Sequence, residues 1–276
     1  MKKPFLSSLT LKRLLTAVLA IAIAVSAFAT AQYTERINDG GIRKGMANCL
    51  LELDSVSFSK LKSRIPDKMA STALWRNYIG QWEIKNDSLF LKSVLIEDKS
   101  CDTLQFVPAV IDDIYASRRT PSGYFADWVT DTVRIVSGDI LRYRHMGWLS
   151  DWKTEEMVTI ENGLVKDRIV YKNRVVNPVD ESKVESIINS LDLGFIPERI
   201  LLQLGYRGLD KNGKPTGYKV EVKQSCGDKA IDDKVVRAFE NAAVIRKLVP
   251  IDYVRGQYKH ENLYLTIPKS KERSAG

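Results

Sequence analysis

Residues 223–240, KQSCGDKAIDDKVVRAFE, place a cysteine in a polar loop ahead of two aspartates and a helical pattern, and their reading decides the architecture of the C-terminal part of the chain. One reading is a reactive thiol, Cys226, beside Asp228, Asp232 and Asp233. The other is a joint between a strand and a helix. Chemistry favours the joint, because a nucleophilic cysteine needs a base or a positive field, and carboxylates raise a thiol's pKa. Upstream, Tyr218, Val220 and Val222 alternate with Lys219, Glu221 and Lys223 after the tight turn Asp210-Lys211-Asn212-Gly213, which predicts a hairpin. Downstream, Asp232 is placed to cap a helix and Asp233 to favour the positive end of its dipole. Val235, Val236, Phe239, Ala242 and Ala243 follow at helical spacing. Leu263, Leu265 and Ile267 supply a third strand, so the predicted order is β-β-α-β with one helix on one face of a small antiparallel sheet.

Further upstream the period changes from helical to alternating. WEIKNDSLFLKSVLI (82–96) turns at Asn86-Asp87, VRIVSGDILRYR (133–144) is expected to turn at Ser137-Gly138-Asp139, and VTIENGLVKDRIV (158–170) turns at Asn162-Gly163. Asn-Gly between alternating strands is a strong hairpin signal, since both residues accept positive φ. A mostly antiparallel β domain over 32–177 is therefore expected. SFSKLKSRIPDKMASTALWRNY (57–78) mixes a short helix with a loop at Pro66. NPVDESKVESIINSLDLG (177–194) has Val184, Ile187, Ile188 and Leu191 at helix spacing, opens at Asp180 and stops at Gly194. Asn177-Pro178 marks the expected border of a second domain, 178–276. The fold class expected from these patterns is α+β.

The stretches LDKNGKPTGYKVEVKQSCGDKAIDDKVVRAFENA (209–242) and VPIDYVRGQYKHENLYLTIP (249–268) resemble the TonB C-terminal domain family. The likeness is carried by Asp210 to Gly213 at the hairpin turn, Val222 and Ser225 at the strand end, Ile231-Asp232 opening the helix, and Pro250 with Gly256 before the last strand. It covers about residues 198–268. The resemblance implies a partner that adds a strand to the last strand region, here Gln257 to Pro268.

MKKPFLSSLTLKRLLTAVLAIAIAVSAFATA (1–31) has Lys2, Lys3, Lys12 and Arg13 before an apolar run from Leu14 to Ala29, with small residues at Ala29 and Ala31. That is the layout of a secretory signal peptide cleaved between Ala31 and Gln32. Export to a Gram-negative envelope, periplasmic or beyond, is the expected localisation, with membrane attachment only if the segment is retained. Cleavage lowers the formal charge of the 276-residue chain from +8 to +4, which leaves a nucleic-acid partner without a basic stripe. Cys49, Cys101 and Cys226 are an odd number in a compartment that permits disulfides, and Cys49 with Cys101 is one possible pair. No Cys-x-x-Cys occurs and His145 and His260 are the two imidazoles, so no metal and no cofactor is expected.

Asp112-Asp113 and Glu155-Glu156 read as solvated strand ends, not as a general acid and base. GYFADW (123–128) and RYRHMGWLSDW (142–152) bring aromatic residues near loops, of which Tyr124, Trp128, Trp148 and Trp152 are candidates for stacking on a ligand; filling a core is the competing role. Asn262, Leu263, Tyr264, Leu265, Thr266 and Ile267 form a strand expected at a sheet edge, which would pair with an envelope protein or a second copy, Tyr264 and Thr266 facing outward. A binding module without a catalytic centre is the expected function. Two alternatives differ in class. An envelope hydrolase would depend on His145, and a TonB-type energy transducer would keep residues 14–29 in the membrane and need a long Pro-rich spacer, which the sequence lacks.

Overall fold

The computed structural model describes residues 31–67, 71–98, 105–179, 182, 186, 196–241 and 248–269. The α+β expectation is overturned: 51% of these residues lie in strands and 14% in helices, and the chain is mostly β, with a large mixed sheet. The apolar segment 14–29, the helix expected over 180–194 apart from Ser182 and Ser186, and Cys101 fall outside the described residues. Among those described, no helix is long and apolar enough to cross a membrane. Two compact units are present, Met1–Val170 and Tyr171–Gly276.

The first unit holds β1 (Glu35–Asp39), β2 (Ile42–Met46), β3 (Tyr78–Lys85), β4 (Ser88–Glu97), β5 (Phe106–Pro108), β6 (Arg119–Thr120), β7 (Gly123–Phe125), β8 (Asp131–Arg142), β9 (Asp151–Glu161) and β10 (Leu164–Lys172). Their order is β10-β9-β8-β2-β1-β3-β4-β7-β6, with β5 on β4. The sheet is mixed because β1 pairs antiparallel with β2 and parallel with β3. The connection from β2 to β3 carries helix α1 (Ser55–Lys62), whose first turn is capped by Asp54 accepting from Ser57 N at 3.1 Å.

Two turns draw the ends of the sheet together. Asn86 (φ 50°) and Asp87 (φ 52°) join β3 to β4, and Asn162 (φ 49°) and Gly163 (φ 77°) join β9 to β10. Leu164 of β10 faces Ser88 of β4, Leu89 N donates to Gly163 O (2.8 Å) and Val165 N donates to Asp87 O (2.9 Å). Strands β4, β3, β1, β2, β8, β9 and β10 thus close on one another at that end. Their inward residues, among them Ile37, Met46, Trp82, Leu89, Leu91, Val133, Ile135 and Val158, form one buried core. The expected turn at Ser137-Gly138-Asp139 is absent. Strand β8 runs through it, and the register on β9 shifts between Ser137 and Ile140, so Gly138 (φ 77°) serves a bulge.

Charge is also buried here. Glu35, on the inward parity of β1 with Ile37, is fully buried, and its Oε2 accepts from Trp82 Nε1. Its Oε1 lies 3.9 Å from Arg76 Nε. Gly80 is small for this reason, since a Cβ there would run into the Glu35 carboxylate and the indole nitrogen of Trp82. Elsewhere Lys44 and Arg168 each bridge Asp39 and Glu156 at 2.5–2.9 Å, tying β1, β2, β9 and β10 through one four-membered network.

The second unit contains β11 (Arg174–Asn177), β12 (Ile200–Leu209), β13 (Pro215–Gln224), α2 (Lys229–Asn241), β14 (Ile251–Val254), β15 (Gln257–His260) and β16 (Leu263–Ile267). They form two three-stranded sheets, β13-β12-β16 and β11-β14-β15. Pairing of β11 with β14 is why this unit starts ahead of Asn177-Pro178. Residues 257–268, expected as a single last strand region, are two strands in different sheets: β15 pairs with β14, and β16 pairs with β12. Val235 and Phe239 of α2 bury against Ile200, Leu202, Leu204, Leu265 and Ile267.

Two outcomes check this account. At Gly163 (φ 77°) a Cβ would approach Ala126 O to 2.7 Å, whereas Gly41 (φ 82°) has open space. Both Gly→Ala substitutions carry the backbone cost of positive φ, about 1 kcal/mol, but Gly163→Ala should destabilise by at least about 1 kcal/mol more in urea titrations; equal losses would contradict the seam. Burial raises the Glu35 carboxyl from 4.5 to about 7. Between these values the folded chain holds a proton that the unfolded chain has released. Its contribution is therefore fully present below about pH 4.5 and is lost as pH rises through about 7, by on the order of 3 kcal/mol. Glu35→Gln should flatten the fall in melting temperature between about pH 5 and about pH 8.

Candidate functional site

The cysteine loop is a joint. Cys226 is 9% exposed and packs in the core of the second unit. Burial raises its thiol pKa, the bond to the Asp228 carbonyl offsets part of that rise, and the Asp232 carboxylate adds to it. The helix begins at Lys229, earlier than expected, and the cap is Asp228, whose Oδ1 accepts from Ala230 N (2.8 Å) and Ile231 N (3.3 Å). Asp232 lies inside the first turn and accepts from Cys226 N at 3.2 Å, so its carboxylate fastens the loop to the helix. Asp233 pairs with Lys229 on the surface.

The paired acids are each engaged by cations. Asp113 meets Arg64, and Asp112 accepts from Arg119 (2.5 Å) and from Tyr124 OH (2.6 Å). Glu155 is wholly buried and takes a two-pronged bond from Arg134, 2.8 Å to each oxygen. Arg134 also donates to Trp148 O (2.6 Å) and Ser150 O (2.7 Å), which clamps the loop between β8 and β9 onto the sheet.

The four aromatic candidates separate into two pairs. Tyr124 and Trp128 pack on Tyr115, with ring centroids 5.8 and 5.2 Å away, in the core of the first unit. Trp148 and Trp152 instead line a cavity of about 180 Å³ together with Gln32, Tyr33, Ile140 and Ser150. Trp148 sits in the loop, not on the strand face that its spacing from Trp152 suggests, and the guanidinium of Arg76 lies 4.8 Å from its ring centre. His145 is exposed, its ring edge-on to Tyr143 at 4.9 Å. Among the described residues no group of three or more His, Cys, Asp and Glu side chains is arranged to hold a metal ion.

Strand β16 lies at the end of its sheet. Its register on β12 runs from Ile200↔Ile267 to Leu204↔Leu263, and β13 covers the opposite side of β12. Leu265 and Ile267 are buried, while Tyr264 is 58% exposed and Thr266 is exposed. Asn262, which precedes the strand, stands against Gly205, where a Cβ would meet its side chain. Along the outer side of β16 no strand is paired among the described residues.

Sequence reasoning missed three features. The Glu35–Trp82–Arg76 cluster was signalled by a glutamate on the inward parity of the alternating stretch ERIND. Strands β14 and β15 turn at Arg255-Gly256 (φ 51° and 79°), a two-residue signal as strong in geometry as Asn-Gly. The attachments of Gln32 had no signal. Comparison of the chain with protein-family models, with curated proteins and with solved structures returns no match.

A buried thiol of raised pKa should behave as a small apolar side chain. Cys226→Ala should cost about 1 kcal/mol of stability, and iodoacetamide should label Cys226 in the native protein far more slowly than in urea. Native labelling at the unfolded rate would contradict this.

Proposed function

We propose that the protein is exported to a Gram-negative envelope and acts there by binding, with the outer edge of β16 as the docking element for an extended segment of an envelope partner or of a second copy. The observation that carries this reading is the position of Asn262 to Ile267 at the end of the β13-β12-β16 sheet. Such an edge offers a row of backbone donors and acceptors, and an incoming strand satisfies them without needing a particular side-chain sequence. Tyr264 adds a large exposed surface next to that row. The edge is also restrained, because β16 is only five residues long and Pro268 follows it, which limits indiscriminate pairing. The resemblance of residues 198–268 to the TonB C-terminal domain family supports the same mode. Export is supported by the layout of residues 1–31.

Tyr264→Pro would take one donor from this strand and restrict Leu263. Provided circular dichroism shows the variant folded, it should lose either a dimer seen by light scattering or the envelope partners recovered with the parent chain. A folded variant with the parent's oligomeric state and the same partners would refute the edge as the binding site.

A further inference from the structure

Cleavage after Ala31 would leave Gln32 at the amino terminus, and Gln32 is tied to the fold at three points. Its backbone N donates to Gly147 O (2.8 Å), its side-chain Nε2 donates to Thr72 O (2.8 Å), and its Oε1 accepts from Trp75 N (3.0 Å). The next residue is held as well: Tyr33 N donates to Ala73 O (2.8 Å), and Tyr33 O accepts from Trp148 Nε1 (3.1 Å). The loop carrying Gly147 and Trp148 is itself clamped by the Arg134–Glu155 fork. A sequence signal and a set of hydrogen bonds therefore converge independently on one residue.

We propose that this is a docking site for the chain's own processed amino terminus, that its ligand is the primary ammonium of an amino-terminal glutamine, and that docking keeps Gln32 from cyclising. The inference rests on the export reading above. Cleavage adds hydrogens to the nitrogen that already faces Gly147 O, so the bond gains charge assistance. Gln32 lines a cavity with Trp148 and Trp152, and the Trp148 ring already carries the Arg76 guanidinium 4.8 Å from its centre.

A free amino-terminal glutamine closes to pyroglutamate without any other reagent. The α-amine nitrogen attacks the δ-carbonyl carbon and a carbon–nitrogen bond forms. The bond from that carbon to the side-chain nitrogen breaks, and ammonia leaves with the proton that the amine gives up. Closure requires the side-chain amide to fold back over its own amine. In the docked arrangement both polar atoms of the amide are held by the 72–75 loop and the amine by Gly147, so the ring cannot close unless these bonds break first.

The test is sequential degradation and intact mass of the protein purified from the envelope fraction, folded and after incubation in concentrated urea. The folded protein should read Gln-Tyr-Thr-Glu-Arg with its mass complete. In urea the readable end should disappear and one ammonia should be lost, at least about tenfold faster than in the folded protein. A chain that begins at Gln32 but is blocked when folded, or that cyclises equally fast in both states, overturns the docking and leaves export standing. A processed chain that begins at another residue overturns the docking and the assigned cleavage site while export stands; an unprocessed cytoplasmic chain overturns the export reading with it.

Discussion

The first unit depends on two tight turns meeting each other. Asn86-Asp87 and Asn162-Gly163 each reverse a hairpin, and the backbone bonds from Leu89 to Gly163 and from Val165 to Asp87 then join the two hairpins into one closed seam. Without that seam β10 would be an open edge and the apolar faces of β4 and β9 would have no common interior. Gly163 is where the constraint is tightest, because its backbone also donates to Val129 O and leaves no room for a side chain beside Ala126. The rest of the core is arranged around this closure, and the buried charges lie on strands that it holds in register.

What was legible in the sequence was local. Asn86-Asp87 and Asn162-Gly163 announced their hairpins because the positive φ they need is written in residue type, and Leu263, Leu265 and Ile267 alternate as the strand they form. Ser137-Gly138-Asp139 shows the limit of the same signal: a glycine at φ 77° serves a bulge in β8 as well as it would serve a turn. The parallel pairing of β1 with β3 has no local signature at all, because it depends on a crossover through α1. The α+β expectation gave weight to helices at 180–194 and after residue 228 while overlooking β11, β14 and β15, which are short and carry too many polar residues to alternate clearly.

The candidate sites divide in the same way. Alternation told which side of β16 is buried, so the exposed side chains of Tyr264 and Thr266 followed from it. Aromatic content near loops said nothing about which rings would be covered; Tyr124 and Trp128 were drawn into the core by Tyr115, and Trp148 and Trp152 were left at the opposite end of β8. Adjacent acids such as Glu155 and Glu156 find separate partners, Arg134 for one and Lys44 with Arg168 for the other, and of these Lys44 comes from a distant part of the chain.

The seam also fixes a schedule. A ribosome delivers β1 first, yet β1 is an interior strand that needs β2 and β3 on its two sides, and β2 in turn waits for β8. Ser88 cannot meet Leu164 until the chain has grown past β9, so most of the first unit must be synthesised before its interior can be sealed. Contacts so far apart in sequence make folding slow, and the interval leaves apolar strands uncovered. The interior of the first unit is therefore sealed late, once β10 has reached β4.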